Sequence, residues 1–177
     1  PYDIAGFLAY DITFVNPDGN KLEPNGDVKV SMEYKKAEIP EEAKKVQDAK
    51  KDEQELDVTV MHLEEDEQGE VKEVADLSDA TVQNGSLENL ETNNDKKVEK
   101  VEFGANSFST FTITWKKNYS NSTLTFHYID EYGTELQGTQ TDNITFYDSK
   151  KINFSNYAGS ISGYTYKEAR LSNPLHG

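Results

Sequence analysis

The feature of this sequence that most constrains its fold is an alternation of apolar and other side chains with a period of two residues. The alternation runs through residues 7–15, 28–34, 56–63, 98–103 and 108–115. Since successive side chains of a β-strand point to opposite faces, such segments are typical of strands with one buried face. Turn residues, such as those of Asn16–Asn20, separate them. The pattern therefore predicts an all-β fold, and we expect a β-sandwich of the immunoglobulin-like type.

Two segments of the first half of the chain lack this alternation. Residues 40–50 begin with Pro and carry acids before bases, which favours a helix. The segment has few apolar anchors, so we expect a surface helix or a mobile insertion. Residues 76–97 are rich in Ser, Asn, Asp and Glu, and this composition predicts a long loop.

The composition excludes several classes of function. The chain has 177 residues, with 18 Lys+Arg against 33 Asp+Glu and a net charge of -15. Nucleic acid and anionic membranes are recognised through basic patches, so we expect neither as a partner. No apolar run reaches the ~20 residues of a membrane span, and we expect no membrane insertion. The absence of Cys rules out disulfides, thiol catalysis and cysteine zinc sites, and the three His are widely spaced. We therefore expect no cofactor and no metal.

The charge distribution and a second pattern of short strands indicate two domains. Most of the excess negative charge lies in residues 1–117, and a polar stretch at 116–122 predicts a linker. We predict a β-sandwich over residues 1–117 and a small β-grasp-like module over residues 118–177. The strands expected in the module include residues 152–154 and 161–166.

The segment Asn106–Phe111 contains the tripeptide Ser107-Phe108-Ser109 before an alternating strand. It resembles the cleavage motif of the function-to-find domain of inflammasome sensors and the related ZU-five domains, which are β-rich and cut their own backbone. The resemblance makes a ZU-five-like sandwich the alternative to an immunoglobulin-like one for residues 1–117. The resemblance implies cleavage between Phe108 on the acyl side and Ser109 as the nucleophile. It also implies a His on a neighbouring strand, for which His62 is the matching residue. The assisting acid has no motif; its candidates are Glu64, Glu33 and Glu102.

The chemistry of these residue types agrees with that implication. A Ser hydroxyl can attack the preceding carbonyl in an N→O acyl shift, which converts an amide into an ester that water then cleaves. The hydroxyl is a weak nucleophile unless a base takes its proton, and His serves this purpose near neutral pH. The alternative is an ordinary closing strand, in which Phe108 is a core residue, Ser109 its outward neighbour and His62 a surface position.

The second module carries a resemblance of its own. Residues Leu124–Leu136 and Ile161–Lys167 resemble segments of the mucin-binding-protein-type repeats of Gram-positive surface proteins. This resemblance implies an extracellular, cell-wall-anchored adhesin or stalk, of which the chain is a fragment without a signal peptide or sorting motif. Its implied partners are other domains of the same surface protein, with a host glycoprotein or matrix component as a further candidate ligand.

The functional prediction is therefore a surface-protein segment that cleaves itself once at Phe108–Ser109 and whose fragments stay associated. This is a single-turnover reaction rather than turnover catalysis. The alternative is a non-catalytic stalk or adhesin module, with or without an intramolecular isopeptide or ester cross-link.

Overall fold

The computed structural model of the chain describes residues 1–49, 56–147 and 153–170, which are predominantly β-strand. It divides into two compact units, Tyr2–Asn118 and Tyr119–Gly177 with Pro1. The strands are β1 (Tyr2–Asp11), β2 (Phe14–Val15), β3 (Lys21–Leu22), β4 (Val28–Glu38), β5 (Asp57–Glu65), β6 (Val71–Asp76), β7 (Gly85–Thr92), β8 (Val98–Ala105), β9 (Thr110–Ile129) and β10 (Glu135–Tyr147). The helices are α1 (Glu41–Asp48) and a 3₁₀ helix (Phe154–Tyr157).

The first unit is a sandwich of two antiparallel sheets. One sheet has the order β1-β9-β5-β6 and the other the order β4-β8-β7. Their inner faces meet in one core, where Phe103 of β8 lies against Phe111 of β9 with ring centroids 4.8 Å apart. The predicted all-β, sandwich-like fold is confirmed. Burial of each such large apolar side chain stabilises the fold by about 1.5–3 kcal/mol.

The helix α1 lies on the surface of the first unit, with one face packed against the core. Ala43 is fully buried, and the helix packs against β1. Gly6 allows this close approach, because a Cβ there would lie 2.9 Å from Cγ of Pro40. The expected surface helix is present, since Glu41, Glu42, Lys45 and Asp48 are exposed, and its buried residues Ala43 and Gln47 pack it against the sandwich.

The loop expected at residues 76–97 contains a strand, β7, which pairs with β8. Only Leu87 and Leu90 of β7 pack against the core, while its other side chains are mostly polar and exposed. An edge strand with one partner needs few apolar side chains, so hydrophobic periodicity gives it a weak signal.

Four hairpins close with the same type of turn. In each, a side-chain oxygen accepts hydrogen bonds from the backbone N–H groups two and four residues later, and the residue between them has a positive φ. The accepting residues are Asn16 between β2 and β3, Asp66 between β5 and β6, Asn93 between β7 and β8, and Asp130 between β9 and β10. The positive-φ residue is Gly in three turns and Lys96, at φ 58°, in the fourth.

In the second unit, the described residues form the β9–β10 hairpin and the 3₁₀ helix. The two units divide after Asn118, within the stretch predicted as a linker, but residues 116–122 are part of β9 and not an irregular linker. Residues 119–122 pair with β10, and Thr145 Oγ1 donates to Asn121 Oδ1 over 2.9 Å.

The strand predicted at residues 161–166 is also wrong. Gly163 has φ +84° and the N–H of Tyr164 donates to the carbonyl of Ile161, so the segment turns. Of the strand predicted at residues 152–154, Ile152 lies outside the described residues and Phe154 begins the 3₁₀ helix. The β-grasp-like arrangement of this unit remains a prediction.

Candidate active site

The nucleophile predicted from the sequence, Ser109, lies in the turn between β8 and β9, one residue before β9 begins. The backbone on either side is held by the fold. The carbonyl of Ser109 accepts a hydrogen bond of 3.0 Å from the N–H of Ile12. Phe108 is 5% exposed, and its ring meets that of Phe14 edge-on at 4.8 Å. Both residues of the predicted scissile bond are therefore buried in the sandwich, since Ser109 is 8% exposed.

The predicted base, His62, lies on β5 and faces the core. It is 1% exposed, and its register partner on β9 is Phe111. The alternation of β5 places Val60 and His62 on the same inner face of the sheet. The alternative in which His62 is a surface position does not hold in this structure.

The fold brings the two side chains together across 47 residues of sequence. His62 Nε2 lies 2.9 Å from Ser109 Oγ. The same hydroxyl donates to the carbonyl oxygen of Leu63 over 2.7 Å. Both distances lie within the usual range of hydrogen bonds. Ser109 thus points inward rather than outward, and it touches His62 and the backbone beside it.

These two contacts define the protonation of the pair. A hydroxyl has one proton, so while Ser109 donates to Leu63, Nε2 of His62 is the donor to Oγ. For His62 to act as a base, the ring proton must be on Nδ1 and the hydroxyl must turn towards Nε2. The buried Nδ1 has no hydrogen-bond partner among the described residues. The arrangement in which His62 is a base therefore has a buried Nδ1–H without an acceptor among these residues, and it takes the Ser109 donor away from the Leu63 carbonyl.

Burial lowers the pKa of His62, because the charged imidazolium loses its hydration inside the sandwich. The carboxylates of Glu64, Glu23 and Glu65 act in the opposite direction without cancelling this effect. The imidazole is therefore neutral at neutral pH, which is the form that can accept a proton.

None of the three candidate acids forms a described hydrogen bond with His62. Glu64 accepts from Asn84 Nδ2 over 2.9 Å and lies 3.7 Å from Lys72 Nζ. Glu102 accepts from Ser31 Oγ on the other sheet, and Glu33 is on the exposed face of β4. Of the three candidates, only Glu64 affects the pKa of His62, and it does so through its charge and not through a hydrogen bond.

A second polar cluster lies on the other face of the β5–β9 sheet. Lys116 Nζ is 2.9 Å from Asp76 and 3.7 Å from Asp57. Burial alone would raise the pKa of Asp76, but hydrogen bonds from Thr59, Lys116 and Ser78 outweigh it and lower that pKa. An ionised carboxylate is a poor acyl group, so this geometry favours an ion pair over an amide bond.

Comparison with protein families, curated proteins and solved structures found no match for this chain. Across residues 1–49, 56–147 and 153–170, no helix is long and apolar enough to cross a membrane. The same residues contain no group of three or more His, Asp or Glu side chains that could hold a metal ion.

Two neighbours of the pair did not emerge from the sequence. The carbonyl of Leu63 is the acceptor for Ser109, and the ring of Phe111 stacks on His62 with centroids 4.2 Å apart and planes 6° apart. The alternation of residues 109 and 111 places them on one face, but their partners on β5 follow only from the strand register.

Proposed function

We propose that the first unit is a self-processing domain that cleaves its own backbone between Phe108 and Ser109. The observation that carries the proposal is the 2.9 Å approach of His62 Nε2 to Ser109 Oγ, both buried, directly after the peptide bond to be cut. A buried Ser–His pair is an activated nucleophile because the imidazole can take the hydroxyl proton. The resemblance of Ser107-Phe108-Ser109 to known self-cleavage motifs supports the same reaction.

The reaction proceeds in two steps. Nε2 of His62 takes the hydroxyl proton while Oγ attacks the carbonyl carbon of Phe108. The C–N bond then breaks as the proton passes to the departing nitrogen, which leaves a free amine at Ser109 and an ester between Phe108 and the Ser109 side chain. Water hydrolyses the ester, producing a carboxylate at Phe108 and regenerating the Ser109 hydroxyl. Each chain reacts once.

Cleavage would leave β9 in its place. The strand pairs with β1 on one side and β5 on the other, and the scissile bond lies outside both ladders. The fragments therefore remain associated through backbone hydrogen bonds and the shared core. Such a junction separates under load rather than spontaneously.

The setting we propose is the extracellular part of a Gram-positive surface adhesin, in which the second unit spaces or presents the cleavable domain. Its support is the resemblance of residues 124–136 and 161–167 to mucin-binding-protein-type repeats. Partners would be neighbouring domains of the same protein and a host glycoprotein or matrix component.

The test is denaturing electrophoresis with intact mass after cell-free synthesis of the chain. We expect two fragments, with the second beginning at Ser109, and one species on native sizing. Ser109→Ala should abolish cleavage, whereas Ser107→Ala, a change of the neighbouring serine of the motif, should not. A full-length chain after prolonged incubation at neutral pH would refute the proposal.

The contribution of His62 is tested with two variants, one at His62 and one at a control histidine. His62→Ala should slow cleavage by about 10²–10⁴-fold, the usual effect of losing a general base. His127→Ala, which alters an exposed histidine of the second unit, should leave the rate unchanged. Equal rates in both variants would remove His62 from the reaction.

The second candidate is a non-catalytic stalk or adhesin module, with or without an intramolecular cross-link; Lys116 and Asp76 are close enough to be tested for one, although their geometry favours an ion pair. Condensation would lower the mass of the intact chain by one water and leave it uncut. Intact mass therefore separates three outcomes: two fragments, an unmodified chain, or a chain that has lost water.

A further inference from the structure

The imidazole of His62 is oriented by packing rather than by a hydrogen bond to its second nitrogen. In serine–histidine pairs, a hydrogen bond at the other ring nitrogen usually fixes the tautomer and the ring plane. Here Nδ1 is buried and receives no such bond from the described residues, and Glu64 is instead bonded to Asn84. Rotation about the last side-chain torsion of His is soft. Another contact must hold the ring.

That contact is the phenyl ring of Phe111. The two rings are nearly parallel, with 6° between their planes and 4.2 Å between their centroids. Their residues are direct register partners on β5 and β9, and both are 1% exposed. Phe111 is itself held between Phe103 and Phe108, at 4.8 and 5.8 Å.

We propose that Phe111 is a positioning residue for the self-cleavage, holding the imidazole of His62 so that Nε2 faces Ser109 Oγ. This inference rests on the proposed function. The stack confines the ring to one plane, and the hydrogen bond to Ser109 selects the orientation within that plane. The face of the phenyl ring also attracts the imidazolium that forms when His62 accepts the proton.

Phe111 should therefore affect the rate of cleavage as well as the stability of the core. A misplacement of about 1 Å at a reacting group can cost roughly 10²-fold in rate. Phe103 provides the comparison, because it is fully buried in the same core and its ring contacts Phe111 at 4.8 Å, but it has no ring contact with His62.

The experiment compares Phe111→Leu with Phe103→Leu during cell-free synthesis, with folding checked by circular dichroism. We expect Phe111→Leu to cleave about 10- to 100-fold more slowly than the wild type. Phe103→Leu should slow cleavage less, since it removes a neighbour of Phe111 but leaves both rings of the His62–Phe111 stack. If Phe111→Leu does not fold, Phe111→Met, which conserves volume better, replaces it. Equal rates for the Phe111 and Phe103 variants would overturn the inference while leaving the proposed cleavage intact.

A second readout does not depend on cleavage. In the uncleaved Ser109→Ala chain, the ring protons of His62 should be shielded by the stacked phenyl ring in the NMR spectrum. Adding Phe111→Leu should remove that shielding, and adding Phe103→Leu should not. An unchanged His62 spectrum would refute the stack even if the wild-type chain proved not to cleave, an outcome that by itself would refute only the proposed function.

Discussion

Trp115 allows a quantitative test of how the fragments of a cleaved chain stay together. It is fully buried on β9, and its indole N–H donates to the carbonyl of Lys96 over 2.6 Å. After cleavage at Ser109, Trp115 belongs to one fragment and most of the core around it to the other. Truncating a buried Trp to Ala costs about 3–5 kcal/mol. At about 1.4 kcal/mol per factor of ten, the dissociation constant of the fragments should rise about 10²- to 10⁴-fold.

Sizing of the native cleaved protein over a dilution series measures this constant. Trp115→Phe keeps one aromatic ring but loses the pyrrole part of the indole and its N–H donor, so its effect should be smaller than that of Trp115→Ala. In the uncleaved Ser109→Ala background, Trp115→Ala should lower the free energy of unfolding by the same about 3–5 kcal/mol. Fragments of the Trp115→Ala protein that stay together at every dilution would refute the view that the β9 core holds them.

Three further predictions concern the stability of the uncleaved Ser109→Ala chain. Burial lowers the pKa of His62 in the folded chain, so the unfolded chain binds more protons between that pKa and about 6.5. The free energy of unfolding therefore falls as pH falls through this range, by at most about 1.4 kcal/mol per pH unit. His62→Asn should remove this part of the pH dependence in urea unfolding curves, and identical curves for the two chains would contradict the prediction. Gly6→Val should lower the free energy of unfolding by about 1–3 kcal/mol, because a Cβ at this position meets Pro40. Gly26→Ala should not lower it, because a Cβ there has no atom within 4 Å. Equal unfolding midpoints for the two variants would show that α1 moves aside freely. Lys96→Gly should raise stability by about 1 kcal/mol because Lys96 has φ 58°, and a lower thermal midpoint would show that its side chain outweighs the backbone strain.

The sequence predicts the strands with strong alternation and fails where polar side chains form strands. β4 and β5 follow directly from their spacing of apolar residues. β7 and the 116–122 part of β9 do not, because their backbone hydrogen bonds form with few or no buried side chains. The expected strand at 161–166 had the right composition, but Gly163 turns the chain there.

In the candidate site, too, some features could be predicted from the sequence and others could not. A short motif and a chemical requirement suffice to single out Ser109 and His62 as a pair. The distance between them depends on the register of β5 against β9, which local patterns cannot supply. Leu63 and Phe111 become visible only once that register is known. No motif singles out the assisting acid, and the hydrogen bond of the candidate Glu64 goes to Asn84.

The four turns built on Asn16, Asp66, Asn93 and Asp130 set an order of events during folding. Each closes its hairpin with contacts inside five residues, and hairpins form within microseconds. The pairing of β5 with β9 is non-local, and such contacts form late because closing long loops costs entropy. His62 belongs to one hairpin and Ser109 precedes another, so the two meet only when the sheet is assembled. Backbone cleavage would then occur only in chains that have finished folding, and the fraction of cut chains during synthesis would report how many have done so.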